Sequence, residues 1–365
     1  MPVSDRALRV AIDARYWRAT IQTGVERYIH LLTDALAATG EKAEIAVVLT
    51  AEHAAGYPRA QRAGIRVLTV PDRREHHLHH QIEHFDADLV HYPFALPAAL
   101  PRPAVFTLHD AGRYLFPDQM VRAVRDVQNP RLHTLLAGED LRAVITVSHA
   151  ARADIVGALG DLGKPLEVVP NYVATDFAHQ LRTADLALAP SEPFLFGVGV
   201  YMPSKNIPRL IRAFRLARAA APDRVPARLL LAGRRGWERG LPVRDPEITI
   251  LGHIGDDQLA ALYRAATAFV FPTLFEGFGI PAQEALVAGT PLLCSDLPVL
   301  REVTGGLAAR YTDPLDEEIL AKNIIAVCDA EPAAHDAVTA HLSNYTAESV
   351  GHRLLDVYRQ AAAAS

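Results

Sequence analysis

Residues 271–291 read FPTLFEGFGIPAQEALVAGTP and predict a strand, a glycine-containing loop and a helix in that order. The strand ends at Pro272, and the helix begins at Ile280 with Pro281 in its first turn, where a missing backbone N–H costs no hydrogen bond. Gly289 can end the helix. Because glycines allow a close backbone approach and a helix N-terminus favours an anion, this unit predicts a ligand-binding loop after a strand.

Two glutamates lie in this unit, Glu276 in the loop and Glu284 one turn into the helix. A carboxylate at Glu284 can accept hydrogen bonds from two vicinal hydroxyls, such as those of a ribose, and charged hydrogen bonds contribute about 1.5–3 kcal/mol each. Taken alone, the two side chains are equally typical of a solvated surface. The sequence around the two glutamates, and not the glutamates alone, is therefore what indicates a function.

The second half of the chain repeats the strand-helix pattern around this unit. Strands are predicted at 194–200, 227–233, 247–252, 267–272 and 290–295, and helices near 207–220, 256–266 and 279–288. Strands that alternate with helices indicate a parallel sheet covered on both faces.

The first half follows the same pattern. Strands are predicted at 8–14, 44–50, 65–70, 88–92, 104–108, 143–147 and 166–170. A helix is predicted from Thr23 to Ala38, with Thr23 as its N-cap and Glu26 completing a capping box.

Two such series predict an α/β protein with two doubly wound domains, residues 1–175 and 190–345. The stretch 183–193, with two prolines, is the expected linker, and the terminal helix in 346–365 is expected to pack back on the first domain. In open α/β sheets ligands bind at the carboxyl ends of the strands, so two facing sheets would form a cleft.

Composition narrows the class of protein. The 365 residues are 50% hydrophobic and 22% charged, which is typical of a globular chain of two domains, and a net charge of −5 disfavours a nucleic-acid binder. Cys294 and Cys328 lie in apolar stretches, where we expect buried thiols and no disulfide or zinc site. We expect a cytoplasmic protein, soluble or at most peripheral at the inner face of the membrane, because neither a signal pattern nor an apolar run of about 18 residues is present.

The string EGFGIPAQEALVAGTPLLCSDLPVLREV (276–303) resembles the E-x(7)-E signature of retaining GT-B glycosyltransferases of family 4, also called the glycosyltransferase group 1 family. The two acids of the signature are Glu276 and Glu284. The resemblance implies a GT-B fold, two Rossmann-like domains facing across a cleft. It also implies that the loop binds the donor sugar and that the helix binds the nucleotide.

The resemblance assigns roles within the loop and helix. Glu276, with Gly277 and the amides of Phe278 and Gly279, is implied to contact the donor sugar. Glu284 is implied to bind the ribose of the nucleotide. The donor is a nucleoside-diphosphate sugar, and the family needs no metal or other cofactor for transfer.

Lys205 follows the strand in FLFGVGVYMPSKNIPRLIRAF (194–214). A lysine there can neutralise a diphosphate leaving group, whose charge grows in the transition state, although a lone lysine is more often solvated. The stretch is similar to the family's Lys-Asn loop, but Val200 and Ser204 stand where relatives usually place an arginine. Arg234 or Arg235 is the expected substitute.

The segment GVGVYM (197–202) lacks the third glycine of a dinucleotide-binding fingerprint, which disfavours a dehydrogenase.

His109 follows a strand in the first half, and Thr107-Leu108-His109-Asp110 resembles the family's TxHD segment, in which the histidine approaches the donor sugar. A lone histidine is otherwise more often structural.

Gly24 lies at a predicted helix start, where backbone amides can contact a diphosphate. Its loop is similar to the TG-x-x-RY segment of sugar transferases of polysaccharide assembly.

The histidines in HHLHHQIEH (76–84) have two interpretations. His76, His80 and His84 recur at one-turn spacing and could bind zinc. A solvated helix or an acceptor-side surface is the favoured interpretation, and no metal site is predicted.

We therefore expect a retaining hexosyltransferase, with a mannose-like sugar favoured, that uses His109, Glu276 and Lys205 in catalysis and a saccharide or lipid-linked saccharide as acceptor. A nucleotide-sugar epimerase or hydrolase of the same fold remains an alternative, as does a catalytically silent nucleotide-sugar-binding partner. Residues 112–136 place apolar side chains, such as Met120 and Val121, beside arginines, such as Arg122 and Arg125. This pattern is typical of a segment at an anionic membrane surface and equally of an ordinary packed helix.

Overall fold

The computed structural model describes residues 6–18, 24–57, 64–119, 124–234, 236–238, 241 and 245–364. The expectations for Thr23, Arg235, Met120, Val121 and Arg122, and for the side chain of Arg125, lie outside the described part. The chain divides into two compact units, residues 1–171 with 345–365, and residues 172–344.

The first unit is built on a seven-stranded parallel sheet. Its strands are β1 (Leu8–Asp13), β2 (Ala43–Thr50), β3 (Ile65–Val70), β4 (Leu89–Tyr92), β5 (Ala104–Thr107), β6 (Leu141–Thr146) and β7 (Leu166–Val168). The spatial order is β3-β2-β1-β4-β5-β6-β7, so the order reverses between β1 and β4. Strands β4 and β5 are buried throughout and β2 is buried over most of its length, because helices cover the sheet.

The helices that follow these strands are α1 (Gly24–Ala38), α2 (Ala51–Ala54), α3 (Glu75–Phe85), α4 (Gly112–Leu115), α5 (Asn129–Ala137) and α6 (His149–Leu159). Ser148 caps α6 by accepting the backbone N–H of Ala151 at 2.9 Å, as a serine at a helix start predicts.

The second unit is built on a six-stranded parallel sheet. Its strands are β8 (Phe194–Val198), β9 (Arg228–Ala232), β10 (Ile248–Gly252), β11 (Ala268–Phe271), β12 (Leu292–Ser295) and β13 (Arg310–Thr312). The order is β10-β9-β8-β11-β12-β13, which reverses between β8 and β11.

The helices of the second unit are α7 (Thr175–Thr183), α8 (Ile207–Ala220), α9 (Asp256–Ala265), α10 (Ile280–Ala288), α11 (Pro298–Thr304), α12 (Glu317–Cys328) and α13 (His335–Leu342). Two parallel, doubly wound sheets confirm the predicted fold class.

The second unit begins at Tyr172, earlier than the sequence indicates. Helix α7 packs on α9 and α10 and buries Phe177 and Leu181. Residues 176–189, which lie outside both predicted domains, are therefore part of the second unit.

The last helix, α14 (Ala347–Ala363), belongs to the first unit and packs on α1. A Cβ atom at Gly351 would overlap the backbone carbonyl of Ala35, so this glycine allows the two helices to approach closely. Thr346 caps the helix by accepting the backbone N–H of Ser349.

Candidate functional site

Lys205 and Glu276 meet at the switch point of the second sheet. Lys205 follows β8 and Glu276 follows β11, and these neighbouring strands end side by side. The Lys205 Nζ lies 2.5 Å from the Glu276 Oε1, and both side chains are mostly buried. The same Nζ lies 5.3 Å from the ring centroid of Phe271. The carboxyl edge of the sheet therefore holds a partly desolvated ion pair where α/β sheets usually bind ligands.

Backbone and side-chain hydrogen bonds connect the two loops that carry this pair. Thr273 Oγ1 and the N–H of Leu274 both donate to the carbonyl of Ser204, at 2.8 and 2.7 Å. The Asn206 side-chain amide donates to the carbonyl of Pro272 at 3.0 Å. Asn206 has a left-handed backbone (φ 58°), in which Asn is among the better-tolerated residues. These bonds fix Lys205 against the Glu276 loop.

The glycine loop leads directly into α10. Gly279 precedes the helix with φ 93°, and a Cβ there would lie 2.7 Å from Leu300 Cδ2. Phe278 is buried beside it, and Gly277 is half-buried. Both a left-handed backbone and close packing therefore require glycine at position 279.

Glu284 is buried one turn into α10 and is hydrogen-bonded from a neighbouring helix. The Tyr263 hydroxyl, on α9, donates to Glu284 Oε2 at 2.7 Å. Sequence reasoning missed Tyr263, because its only sequence signal is a position on the apolar face of a predicted helix. The sequence placed Glu284 correctly within the helix but could not show what holds its carboxylate.

Arg234 lies on the same sheet edge, at the carboxyl end of β9. Its carbonyl accepts the N–H of Tyr201 at 2.9 Å, so the chain after β9 runs beside the chain after β8. A Cβ at Gly233 would overlap the carbonyl of Gly199, which shows how closely the two ends approach. Arg234 is thus placed beside the loop of Lys205, and its predicted phosphate contact stays a prediction.

His109, in the first unit, has a defined tautomer. Its Nε2 lies 2.9 Å from the carbonyl of Pro93, and since a carbonyl only accepts, Nε2 carries the proton. The ring of Tyr28 meets the imidazole edge to face, with centroids 4.5 Å apart. Burial lowers the pKa of His109, which keeps the imidazole neutral with Nδ1 unprotonated. Asp110 accepts the N–H of Gly112 at 2.8 Å and so orders the local backbone.

A buried chain of hydrogen bonds lies behind His109. Tyr28 Oη is 3.0 Å from Thr107 Oγ1, which is 2.7 Å from His91 Nε2. His91 Nδ1 is 2.6 Å from the hydroxyl of Tyr358. The four side chains come from α1, β5, β4 and α14, and sequence analysis singled out none of their contacts.

Gly24 is the first residue of α1 and is exposed. A Cβ there would meet no atom within 4 Å, so packing does not require glycine at this position. Its predicted contact with a diphosphate stays a prediction.

The histidine-rich segment forms α3, in which the rings of His80 and His84 stack at 6.5 Å. Among the described residues, no group of three or more His, Cys, Asp or Glu side chains is placed to hold a metal ion.

None of the helices in the described ranges has the length and apolar character that crossing a membrane requires.

Two parallel α/β units, one with an ion pair and a glycine loop at its switch point, define the GT-B class of glycosyltransferases. Residues 22–177 match the family model "Glycosyltransferase Family 4", and residues 192–330 match the model "Glycosyl transferases group 1". Together the two models span more than half of the chain, which belongs to this glycosyltransferase family.

The chain is also similar to proteins with assigned activities. The chain is 31% identical over 246 residues to O-antigen chain mannosyltransferase B of Escherichia coli, covering 64% of this chain and 62% of that protein. The match thus spans less than two thirds of that relative. Identity is 28% over 268 residues, 70% of each protein, with O-antigen chain mannosyltransferase RfbU of Salmonella typhimurium.

A solved structure with the same fold is sucrose-phosphate synthase from Thermosynechococcus elongatus. The TM-score is 0.69 at 19% identity, with 98% of this chain and 100% of that chain covered. At this identity the likeness concerns the fold alone.

Proposed function

We propose that the protein transfers a mannose-type hexose from a nucleoside-diphosphate sugar to a saccharide acceptor, with retention of the anomeric configuration. The observation that carries the proposal is the ion pair of Lys205 and Glu276 beside the glycine loop and the start of α10. The mannosyltransferase relatives support the choice of sugar.

Charge explains how this arrangement serves the transfer. Lys205 and the N-terminus of α10 supply positive charge to the departing diphosphate, and Glu276 accepts hydrogen bonds from sugar hydroxyls. Glu284 takes the ribose diol. For Gly24, Arg234 and His109, the roles implied by the family resemblance are kept within this proposal.

The bond changes balance without an enzyme nucleophile. The bond from the anomeric carbon to the diphosphate oxygen breaks, and its electron pair stays with the diphosphate. The acceptor hydroxyl forms the new bond from the same face of the sugar, and its proton passes to the departing phosphate oxygen. Lys205 stabilises the charge that develops on that oxygen, so transfer is proposed to need no metal and to persist in a chelator.

The test begins with a thermal-shift screen of UDP, GDP, ADP and dTDP, since a nucleotide at 100 times its Kd stabilises the folded state by about 2.7 kcal/mol. Sugars linked to the selected nucleotide are then incubated with a panel of saccharide acceptors. The product linkage is assigned by NMR, and an α-linked product from an α-linked donor is expected.

Each alternative gives a different result in this assay. A β-linked product would contradict retention. Conversion of the donor without an acceptor would indicate an epimerase or a hydrolase. Nucleotide binding without turnover across the panel would indicate a silent binding partner. Lys205→Ala and Glu276→Ala are the loss-of-function controls.

We further propose that the acceptor is lipid-linked and is reached at the cytoplasmic face of a membrane. Exposed Leu115 and Val127 lie on the same segment as Arg131, which is also exposed. Apolar and cationic groups together suit an anionic bilayer surface. Cosedimentation with anionic vesicles should occur at low salt and weaken at high salt, because salt screens charge attraction. A protein that stays in the supernatant at both salt concentrations would contradict this part of the proposal alone.

A further inference from the structure

The carboxylate of Glu284 is held by a neighbour that is even more deeply buried. Glu284 is 2% exposed and Tyr263 is not exposed at all. A carboxylate only accepts, so the Tyr263 hydroxyl is the donor in their 2.7 Å hydrogen bond. A hydrogen bond to a charged group is shorter and stronger than a neutral one, and burial limits competition from water.

Tyr263 is itself fixed by the strands that carry the ion pair. Its ring packs edge to face on Phe196 of β8, with centroids 5.2 Å apart, and lies 4.9 Å from Phe269 of β11. Lys205 follows β8 and Glu276 follows β11. Packing on β8 and β11 therefore holds the Tyr263 hydroxyl in place, and the same two strands position the Lys205–Glu276 pair.

A second bond holds the other end of α10. The carbonyl of Tyr263 accepts a hydrogen bond from Thr290 Oγ1 at 2.5 Å, just after the helix ends. Tyr263 thus contacts α10 through Glu284 in the middle of the helix and contacts Thr290 just after its end. The two bonds are chemically separable, since one uses the side chain of Tyr263 and the other its backbone.

We propose that Tyr263 is a positioning residue that orients the Glu284 carboxylate for the two hydroxyls of a ribose. The inference rests on the proposed function, in which Glu284 binds the nucleotide ribose. With Oε2 committed to Tyr263, the plane of the carboxylate is set, and so are the directions in which its other lone pairs accept. Without the Tyr263 hydroxyl, the carboxylate turns more freely and discriminates less between ribose and deoxyribose.

The test is the ratio of affinities for a ribonucleotide and its deoxy counterpart. The probes are GDP with 2′-deoxy-GDP and UDP with 2′-deoxy-UDP, and Kd is measured by calorimetry. The unmodified protein should prefer the ribonucleotide roughly ten-fold, which corresponds to one charged hydrogen bond. Tyr263→Phe removes only the hydroxyl and should bring the ratio to within about two-fold of unity.

Two variants separate positioning from a merely structural effect. Tyr311→Phe removes another tyrosine hydroxyl of the second unit, one that lies 2.6 Å from Thr304 Oγ1, and should leave the ratio unchanged. Thr290→Val removes the other bond to α10 and should lower the Tm while preserving the ratio. A structural role alone would lower the Tm of Tyr263→Phe and weaken both nucleotides equally.

The outcomes also distinguish this inference from the proposed function. A preserved ratio in Tyr263→Phe, with a collapsed ratio in Glu284→Gln, would overturn the role of Tyr263 and leave the proposed function standing. A ratio that survives in Glu284→Gln would overturn both the ribose contact and this inference. Failure of the unmodified protein to bind any of the four nucleotides of the thermal-shift screen would contradict the proposed function itself.

Discussion

The hydroxyl of Tyr358 lies 2.6 Å from Nδ1 of His91, so the last helix of the chain is hydrogen-bonded to the centre of the first sheet. Burial raises the pKa of Tyr358 well above its usual value, and the phenol stays protonated. From His91 the hydrogen bonds continue through Thr107 to Tyr28, whose ring contacts His109. Helix α14 is therefore part of the environment of the candidate catalytic histidine.

The stability of the first unit should depend on pH through His91. Burial lowers the pKa of His91 to about 3, whereas an unfolded histidine has a pKa near 6.5. Between these values the unfolded chain binds a proton that the folded chain does not. The free energy of unfolding should therefore be unaffected by His91 above a pH of about 6.5 and should fall by about 1.4 kcal/mol per unit below it.

Denaturant unfolding at a series of pH values measures this slope. His91→Asn should reduce it by the equivalent of one proton. His84→Asn is the control, because His84 is exposed on α3 and water solvates it in both states. An unchanged slope in His91→Asn would contradict a neutral buried imidazole.

Thr107→Val should destabilise the first unit, because it leaves two buried partners, His91 and Tyr28, without their shared hydroxyl. An unsatisfied buried polar group costs about 1–3 kcal/mol, so a loss of about 2 kcal/mol or more is expected. Thr134→Val, at an exposed site of α5, should change stability by less than about 0.5 kcal/mol. Equal effects of the two substitutions on chemical denaturation would refute the network.

Gly351→Ala should loosen α14 from α1, because the added methyl would overlap the carbonyl of Ala35. We expect a fall in Tm equivalent to about 1–3 kcal/mol, the usual cost of overpacking. The matched control is Gly157→Ala in α6, where a Cβ meets no atom within 4 Å. That substitution should raise stability by about 0.5–1 kcal/mol, since alanine favours a helix. The prediction fails if both variants are stabilised.

Gly279→Ala should impair nucleotide binding more than Gly289→Ala does. Both glycines flank α10 with positive φ, 93° and 71°, so both substitutions carry backbone strain. Only at position 279 would the methyl also press on Leu300, at 2.7 Å from Cδ2. Nucleotide affinity should therefore fall in Gly279→Ala and persist in Gly289→Ala. Calorimetry on the two purified variants checks this, and equal affinities would argue against a binding role for the loop.

Lys205→Ala should lower kcat more than it weakens donor binding. The charge of the leaving diphosphate grows in the transition state, so losing one electrostatic donor should reduce turnover about 100-fold or more. Lys322→Ala, at an exposed position of α12, is the control and should retain full activity. Normal turnover in Lys205→Ala would transfer the role to another cation, with Arg234 as the first to test.

Local chemistry explains which elements could be predicted from the sequence. Alternating apolar strands and amphipathic helices predict two parallel sheets, because both patterns depend on neighbouring residues. The end signals of α10, Pro281 and Gly289, are equally local. The two prolines in 183–193 led to the prediction of a linker there. In the structure, α7 and the turn at Leu186–Leu188 pack on α9 and so belong to the second unit.

The sequence by itself determined the strand-loop-helix unit of Glu276 and Glu284 and the position of Lys205 after a strand. Only the tertiary structure decided which groups meet. Lys205 and Glu276 are 71 positions apart and pair because β8 and β11 are neighbours in the sheet. Tyr358 reaches His91 across 267 positions because α14 returns to the first unit. Such contacts depend on strand order and helix packing, which arise from burial over the whole chain and leave no signal in the residues beside each group.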